Sequence, residues 1–245
     1  MPSCKFCGAT EKLTGEHVFP NWIRTAVGDG GAHFFRRKSS GDVNEWQTVA
    51  YSTTVRDVCA TCNNGWMKKI EDSVAGVLIP MLISGTQVNL NAETLRSIAT
   101  WVTLRSLVVP LAAGPEDVPV SLYRNIEKTH DATAQSRVWL GRLEGTDART
   151  AFFLGATLNI ENTTPKEPDA YVATMAVGQL VTRVFVLTPD RGTLGQVSND
   201  PFDPFLLDVW PGINGVTWPP RSMTVQEYTQ LNRTLPKAWV ALNLR

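Results

Sequence analysis

The sequence of 245 residues predicts an α+β fold, in which a small N-terminal module precedes helices, an antiparallel β-sheet and a C-terminal helix. Three observations support this expectation. All four cysteines lie in a polar, turn-rich first quarter, residues 67–112 carry apolar side chains at helical spacing, and the chain from residue 136 is rich in β-branched and aromatic residues. We expect the module to span residues 1–75 and the helical plus antiparallel β region to span residues 76–245, packed as one body.

The cysteines form two Cys-x-x-Cys pairs, Cys4 with Cys7 and Cys59 with Cys62. Two such pairs supply the four thiolates that a tetrahedral structural Zn²⁺ requires. A redox dithiol is the alternative, but such a pair normally precedes a helix in a βαβ unit, and no βαβ pattern surrounds Cys4. The spacing therefore predicts a structural zinc site.

Two helices are predicted between residues 67 and 112. Apolar residues recur at helical spacing from Ile70 to Met81, which predicts the first helix. The second is predicted to begin after Asn91, a residue type that favours the N-cap, and to end at Pro110. We interpret both apolar stripes as parts of the core.

The second half of the chain predicts strands joined by short turns. The segments rich in Val, Phe, Thr and Leu are residues 136–144, 150–161, 171–179 and 180–188. Turns rich in Gly, Pro and Asp separate them, which favours antiparallel hairpins. A last short strand is expected at 205–210, and Thr224 with Glu227 forms a capping box for a helix over residues 225–235.

Charge and hydropathy exclude several classes of protein. Lys plus Arg and Asp plus Glu both number 23, so the chain has neither a strongly basic nucleic-acid-binding surface nor an acidic disordered tail. No apolar run reaches the roughly 18 residues of a membrane span. The first residues lack the basic and apolar segments of a signal peptide, so we expect a cytoplasmic protein with no membrane partner.

An acidic residue beside a histidine, followed by proline, stands between the two cysteine pairs. The full pattern reads Cys4-x-x-Cys7, Glu16-His17-Val18-Phe19-Pro20 and Cys59-x-x-Cys62-Asn63. This pattern resembles the HNH endonuclease family, whose fold is the ββα-metal motif. The resemblance covers roughly residues 4–72 and implies a metal-dependent endonuclease that hydrolyses phosphodiester bonds of nucleic acids.

The resemblance also implies a role for each matching residue. His17 is the general base that takes a proton from the attacking water, a task that suits an imidazole near neutral pH. Glu16 and Asn63 hold a catalytic Mg²⁺ or Mn²⁺, ions that prefer hard oxygen ligands. The structural Zn²⁺ only stabilises the module. The plainer alternatives are an interior histidine bonded to a backbone carbonyl for His17, a surface charge for Glu16 and a helix cap for Asn63.

The sequence departs from the family pattern at one position. The family usually has an Asn about five residues before the second cysteine pair, where it orients the catalytic histidine, and this chain has Thr54. Asn44 and Asn64 are alternative amides. The departure leaves a second interpretation open, a catalytically inactive zinc-stabilised module that binds nucleic acid or another protein.

One dense basic cluster, Arg36-Arg37-Lys38, follows Phe34 and Phe35. Basic and aromatic side chains together suit phosphate contact and base stacking, so this cluster is the predicted nucleic-acid contact, with DNA favoured over RNA. A solvated surface is the alternative. His33 and His130 are interpreted as a loop residue and a solvated residue.

Overall fold

The computed structural model of the protein describes residues 2–28, 31–37, 43–113, 118–159, 168–211 and 214–242. These residues include five α-helices and thirteen strands. The helices are α1 (Asn21–Val27), α2 (Lys68–Ser84), α3 (Ala92–Val108), α4 (Val120–Thr129) and α5 (Val225–Arg233). The strands are β1 (Leu13–His17), β2 (Gly31–Arg37), β3 (Val43–Val49), β4 (Thr54–Cys59), β5 (Val88–Leu90), β6 (Ser136–Arg142), β7 (Ala151–Leu158), β8 (Ala170–Val177), β9 (Leu180–Leu187), β10 (Gly192–Ser198), β11 (Leu207–Trp210), β12 (Val216–Trp218) and β13 (Lys237–Leu242). The α+β class is confirmed.

A seven-stranded sheet has the strand order β11-β6-β9-β8-β7-β2-β3. Strands β6 to β9 match the four segments predicted from sequence and pair antiparallel, as expected for hairpins. Strand β2, which the sequence did not predict, joins the same sheet and runs parallel to β7. This sheet therefore includes strands from both sides of residue 75.

Helix α3 is the central helix of the core. Its N-cap is the predicted Asn91, whose side chain accepts a hydrogen bond from the Thr94 backbone N–H at 2.8 Å. Every residue from Ile98 to Val108 is buried, since the helix contacts α2 and α4 as well as β6, β8, β9 and β11. A helix that is enclosed on all sides can place a polar side chain deep in the core.

The other predicted helices are also present. The first apolar stripe lies on α2, which contains Pro80 and ends at Gly85 in a left-handed conformation, where glycine carries no Cβ penalty. The capping box at Thr224 and Glu227 is formed at the start of α5. In the described part of the chain, no helix combines the length and the apolar character needed to cross a membrane.

A separate antiparallel pair, β1 with β4, leads into α2. Leu13 lies opposite Cys59 at one end of this pair, and His17 lies opposite Thr54 at the other. A bulge interrupts the register between Thr14 and Glu16. The chain then passes through a short π-helical turn, Cys62–Met67, before α2 begins. Strands β1 and β4 and the π-helical turn thus carry several of the residues singled out in the sequence, namely Glu16, His17, Thr54, Cys59, Cys62 and Asn63.

Candidate metal centre and histidine site

The four cysteine sulfurs converge at one point, and all lie within 4.8 Å of one another. The Cys4 and Cys62 sulfurs are 3.9 Å apart, and the Cys7 and Cys59 sulfurs are 3.6 Å apart. A tetrahedral Zn²⁺ with bonds of about 2.3 Å separates its sulfurs by ~3.8 Å, so the spacing fits zinc. The side chains are free thiols rather than disulfides. The group has the ligands and the spacing to hold a structural metal ion such as zinc.

Local backbone contacts bring the two cysteine pairs together. The loop around Cys4 closes through a hydrogen bond from the Gly8 N–H to the Cys4 carbonyl at 2.9 Å, and Gly8 has φ +80°. The Lys5 N–H donates to the Asp57 carbonyl on β4 at 2.9 Å, which ties the loop to the strand that ends at Cys59. Arg124 of α4 donates to the Phe6 carbonyl in the same loop at 2.6 Å.

Burial controls the protonation of this thiol group. Burial raises the pKa of Cys62 to about 12 and also raises the pKa of Cys59, whereas backbone hydrogen bonds outweigh burial at Cys4 and lower the pKa of that thiol. Thiols buried in this way stay protonated at neutral pH until a metal ion displaces their protons. Binding of a metal ion to this group would release the protons of Cys59 and Cys62.

His17 lies at the last position of β1, at the opposite end of the strand pair from Cys59. Its side chain is half-buried, so the imidazole has access to solvent. The predicted orienting position, Thr54, is directly across the pair from it. Asn44 lies on β3 opposite Arg36, and Asn64 is an exposed residue of the π-helical turn.

Glu16 is buried and belongs to an ion-pair cluster. Its Oε1 lies 2.8 Å from the Arg105 guanidinium, and only 5% of its side chain is exposed. The same Arg105 nitrogen lies 3.1 Å from Oε1 of Glu71 on α2. Burial raises the pKa of Glu71, the Arg105 charge opposes this shift and the Glu16 charge adds to it. Two carboxylates therefore share one guanidinium beneath the end of β1.

Asn63 joins the start of the π-helical turn to β1. Its Nδ2 donates to the Thr14 hydroxyl at 3.0 Å and to the Gly15 carbonyl at 3.3 Å. These bonds hold the amide by its nitrogen. Asn63 and Glu16 are held by different partners, and among the described residues only the four cysteines form a group of His, Cys, Asp or Glu ligands around one point.

Two of the three residues of the predicted nucleic-acid contact lie within the part of the chain that the structure describes. Arg36 and Arg37 are the last residues of β2, whereas Lys38 lies outside the described residues. His33, expected in a loop, lies on β2 instead. His130 is exposed, as expected, and its ring stacks on Trp66 with centroids 4.9 Å apart.

A cleft of about 580 Å³ opens between α1 and α2. Its lining includes Trp22, Lys68, Glu71 and Ile83, so it presents an aromatic ring, both signs of charge and an aliphatic surface. Glu71 belongs both to this cleft and to the Arg105 cluster, so the two features share one carboxylate.

Sequence reasoning assigned Arg105 to the apolar stripe of the core and did not single out Glu71. Arg105 is a charged residue within the largely apolar stretch from Trp101 to Val109. This position predicts a buried ion pair, because fully buried arginines are almost always paired. Its partners were not deducible, since Glu16 lies 89 positions earlier in the chain.

Comparison with known proteins adds no assignment, because no family model, no curated protein and no solved structure matches the chain.

Proposed function

We propose that the protein is an HNH-like endonuclease, in which His17 is the general base for hydrolysis of nucleic-acid phosphodiester bonds. One observation carries the proposal: the cysteine cluster anchors one end of the β1–β4 pair, and the half-buried His17 lies at its other end. A zinc ion held by four thiolates has no open position for substrate, so chemistry would occur at the histidine.

In this proposal, zinc stabilises the strand pair and the residues of β1 do the chemical work. His17 accepts a proton from a water molecule, and the resulting hydroxide attacks the phosphate in line with the leaving oxygen. The half-buried position gives the imidazole both a fixed backbone and access to water.

A catalytic Mg²⁺ or Mn²⁺ fits the donor chemistry of this segment. Glu16 uses Oε1 for Arg105 and Asn63 uses Nδ2 for β1, so Oε2 of Glu16 and Oδ1 of Asn63 would hold the ion. Both are hard oxygen donors. When bound, the ion would stabilise the negative charge that develops on the phosphate and the leaving oxygen.

The nearby cleft supports a nucleic-acid substrate. Trp22 offers a surface on which a base can stack, and Lys68 offers a cation, although it pairs with Asp72 at 3.0 Å. Arg36 and Arg37 on β2 remain the proposed phosphate contacts, together with Lys38.

The full-length, zinc-loaded protein would be tested on plasmid DNA, single-stranded DNA and RNA with Mg²⁺ or Mn²⁺. We expect cleavage by the wild type and a loss of about 10²- to 10⁴-fold in His17→Ala, the range that a general base contributes. His130→Ala is the matched control, since this exposed histidine lies outside the proposed site, and it should cleave like the wild type.

The alternative is a zinc-stabilised module that binds nucleic acid without cleaving it, and Thr54 in place of an amide opposite His17 favours it. Binding of DNA at low salt without cleavage would support this binding module and contradict the nuclease. If the protein neither binds nor cleaves nucleic acid, both interpretations are contradicted and a protein-interaction module is left. Equal cleavage by His17→Ala would place the activity at another site.

A further inference from the structure

Arg105 of α3 has its side chain fully buried and contacts two other segments of the chain. Nη1 donates to the His17 carbonyl at 2.9 Å, with a longer contact of 3.5 Å to the Val18 carbonyl. Nη2 donates to Glu16 Oε1 at 2.8 Å and lies 3.1 Å from Glu71 Oε1. One side chain therefore joins the end of β1 to α2 and α3.

These contacts have a direct geometric consequence for His17. The guanidinium is a rigid planar fork, so its two terminal nitrogens cannot move independently. One nitrogen holds the backbone of His17, and the other holds the side chain of the residue before it. The carbonyl of His17 and the side chain of Glu16 are thus held by one rigid group, which restrains the stretch of backbone that carries the imidazole.

Burial makes this arrangement stiff. An unpaired charge in the interior costs several kcal/mol, so the guanidinium cannot release its carboxylates without a large penalty. Helix α3 is enclosed over the whole turn that carries Arg105 and offers it no route to solvent. The position of Arg105 is therefore set by the core of the protein, and the core extends well beyond residue 75.

We propose that Arg105 is the positioning residue of the His17 site, acting from α3 through the Glu16 carboxylate and the His17 carbonyl. This inference rests on the proposed function. It gives the helical region after residue 75 a role in the site, because a module cut at that residue would lose the guanidinium that holds the base.

Lysine is the informative replacement. Arg105→Lys keeps the positive charge beside Glu16 and Glu71, but a single ammonium nitrogen cannot reproduce both arms of the fork. A misplacement near 1 Å can cost about 10²-fold in rate, so we expect kcat to fall by about that factor while KM changes little. Zinc content should stay at the wild-type value.

The main readout is the NMR signal of the His17 ring in zinc-loaded, magnesium-free protein, assigned by its absence in His17→Ala. We expect Arg105→Lys to change the chemical shifts of this ring at constant pH. Glu16→Gln, which weakens the same contact without changing side-chain length, should move the signal in the same way. It provides the test if Arg105→Lys fails to fold.

Arg183→Met is the matched control for removing a buried arginine. Arg183 is 1% exposed and donates to the Leu231 and Thr234 carbonyls at 3.0 and 2.6 Å, far along the chain from β1. It should lower thermal stability and leave the His17 signal unchanged. An unchanged His17 signal in both Arg105→Lys and Glu16→Gln would overturn the proposal, even if the wild type cleaves. A changed His17 signal in the two variants, together with no cleavage by the wild type, would refute the nuclease and keep the positioning role.

Discussion

Thr54 lies directly opposite His17 in the antiparallel pair of β1 and β4, at the end farthest from the cysteine cluster. The resemblance to HNH endonucleases places an amide at this position, where it orients the histidine. A threonine hydroxyl is shorter than an asparagine amide and offers a single donor. Thr54, the residue that departs from the family pattern, therefore lies beside His17, the proposed general base.

Replacing Thr54 by asparagine should therefore increase cleavage. An amide opposite the imidazole can hydrogen-bond it and restrict its rotation, and we expect a gain of about tenfold in kcat from better orientation. Thr54→Val, which keeps the shape and removes the hydroxyl, is the matched control. Single-turnover cleavage rates compare the three proteins, and a rate for Thr54→Asn equal to that of Thr54→Val would show that this position does not orient His17.

Cys59→Ser should remove the metal and unfold the strand pair. Cys59 is fully buried at the end of β4, and a structural zinc site contributes about 10–16 kcal/mol of binding free energy to folding. Zinc content by atomic absorption and the circular dichroism spectrum measure the two effects. Thr61→Ala, an exposed change in the same turn, is the control. A zinc-free Cys59→Ser protein with its wild-type melting temperature would contradict a structural role.

The two candidate asparagines, Asn63 and Asn64, are expected to behave differently. Asn63→Ala removes hydrogen bonds to Thr14 and Gly15, which at ~1 kcal/mol each should lower stability by about 2 kcal/mol. If its amide oxygen also holds the catalytic ion, the Mg²⁺ concentration for half-maximal cleavage should rise as well. Asn64→Ala, at an exposed position, should alter neither quantity. A stability loss with unchanged Mg²⁺ dependence would limit Asn63 to a structural role.

Features that depend on contacts between residues close in the sequence were predictable, whereas features that depend on distant residues were not. The cysteine cluster was predictable because each pair lies in a single turn and only the two pairs had to meet. Strands β6 to β9 were predictable because their β-branched residues are dense and their turns are short. Strands β2 and β3 were missed because their sequences are polar and β2 pairs with β7, more than a hundred residues later.

The Arg105 cluster was missed for the same physical reason. Helical spacing placed Arg105 in an apolar stripe, but the carboxylate that pairs with it lies on a strand near the N-terminus. A buried charge in a sequence predicts a partner of opposite charge without identifying it. The pattern around His17 therefore indicated the reacting group, whereas the residue that holds it became visible only in three dimensions.

The last prediction concerns the pH dependence that Glu71 gives to stability. Burial, opposed by the Arg105 charge and reinforced by the Glu16 charge, raises the pKa of Glu71 above its ordinary value of 4.5. The folded state then binds the proton more tightly than the unfolded state does. Its contribution to stability is complete below pH 4.5 and is lost as pH rises through the higher folded-state pKa.

Glu71→Gln removes this ionisation, so its stability relative to the wild type should increase as pH rises from about 4.5 towards neutrality. Urea unfolding of zinc-loaded protein across this range measures the difference. Asp72→Asn, at a neighbouring position with 60% of its side chain exposed, is the control for removing an exposed carboxylate, and it should change the stability less than Glu71→Gln does. A Glu71→Gln protein that becomes less stable than the wild type as pH rises would mean that Arg105 requires both of its carboxylates ionised, because the guanidinium would then gain more from the second charge than burial of that charge costs.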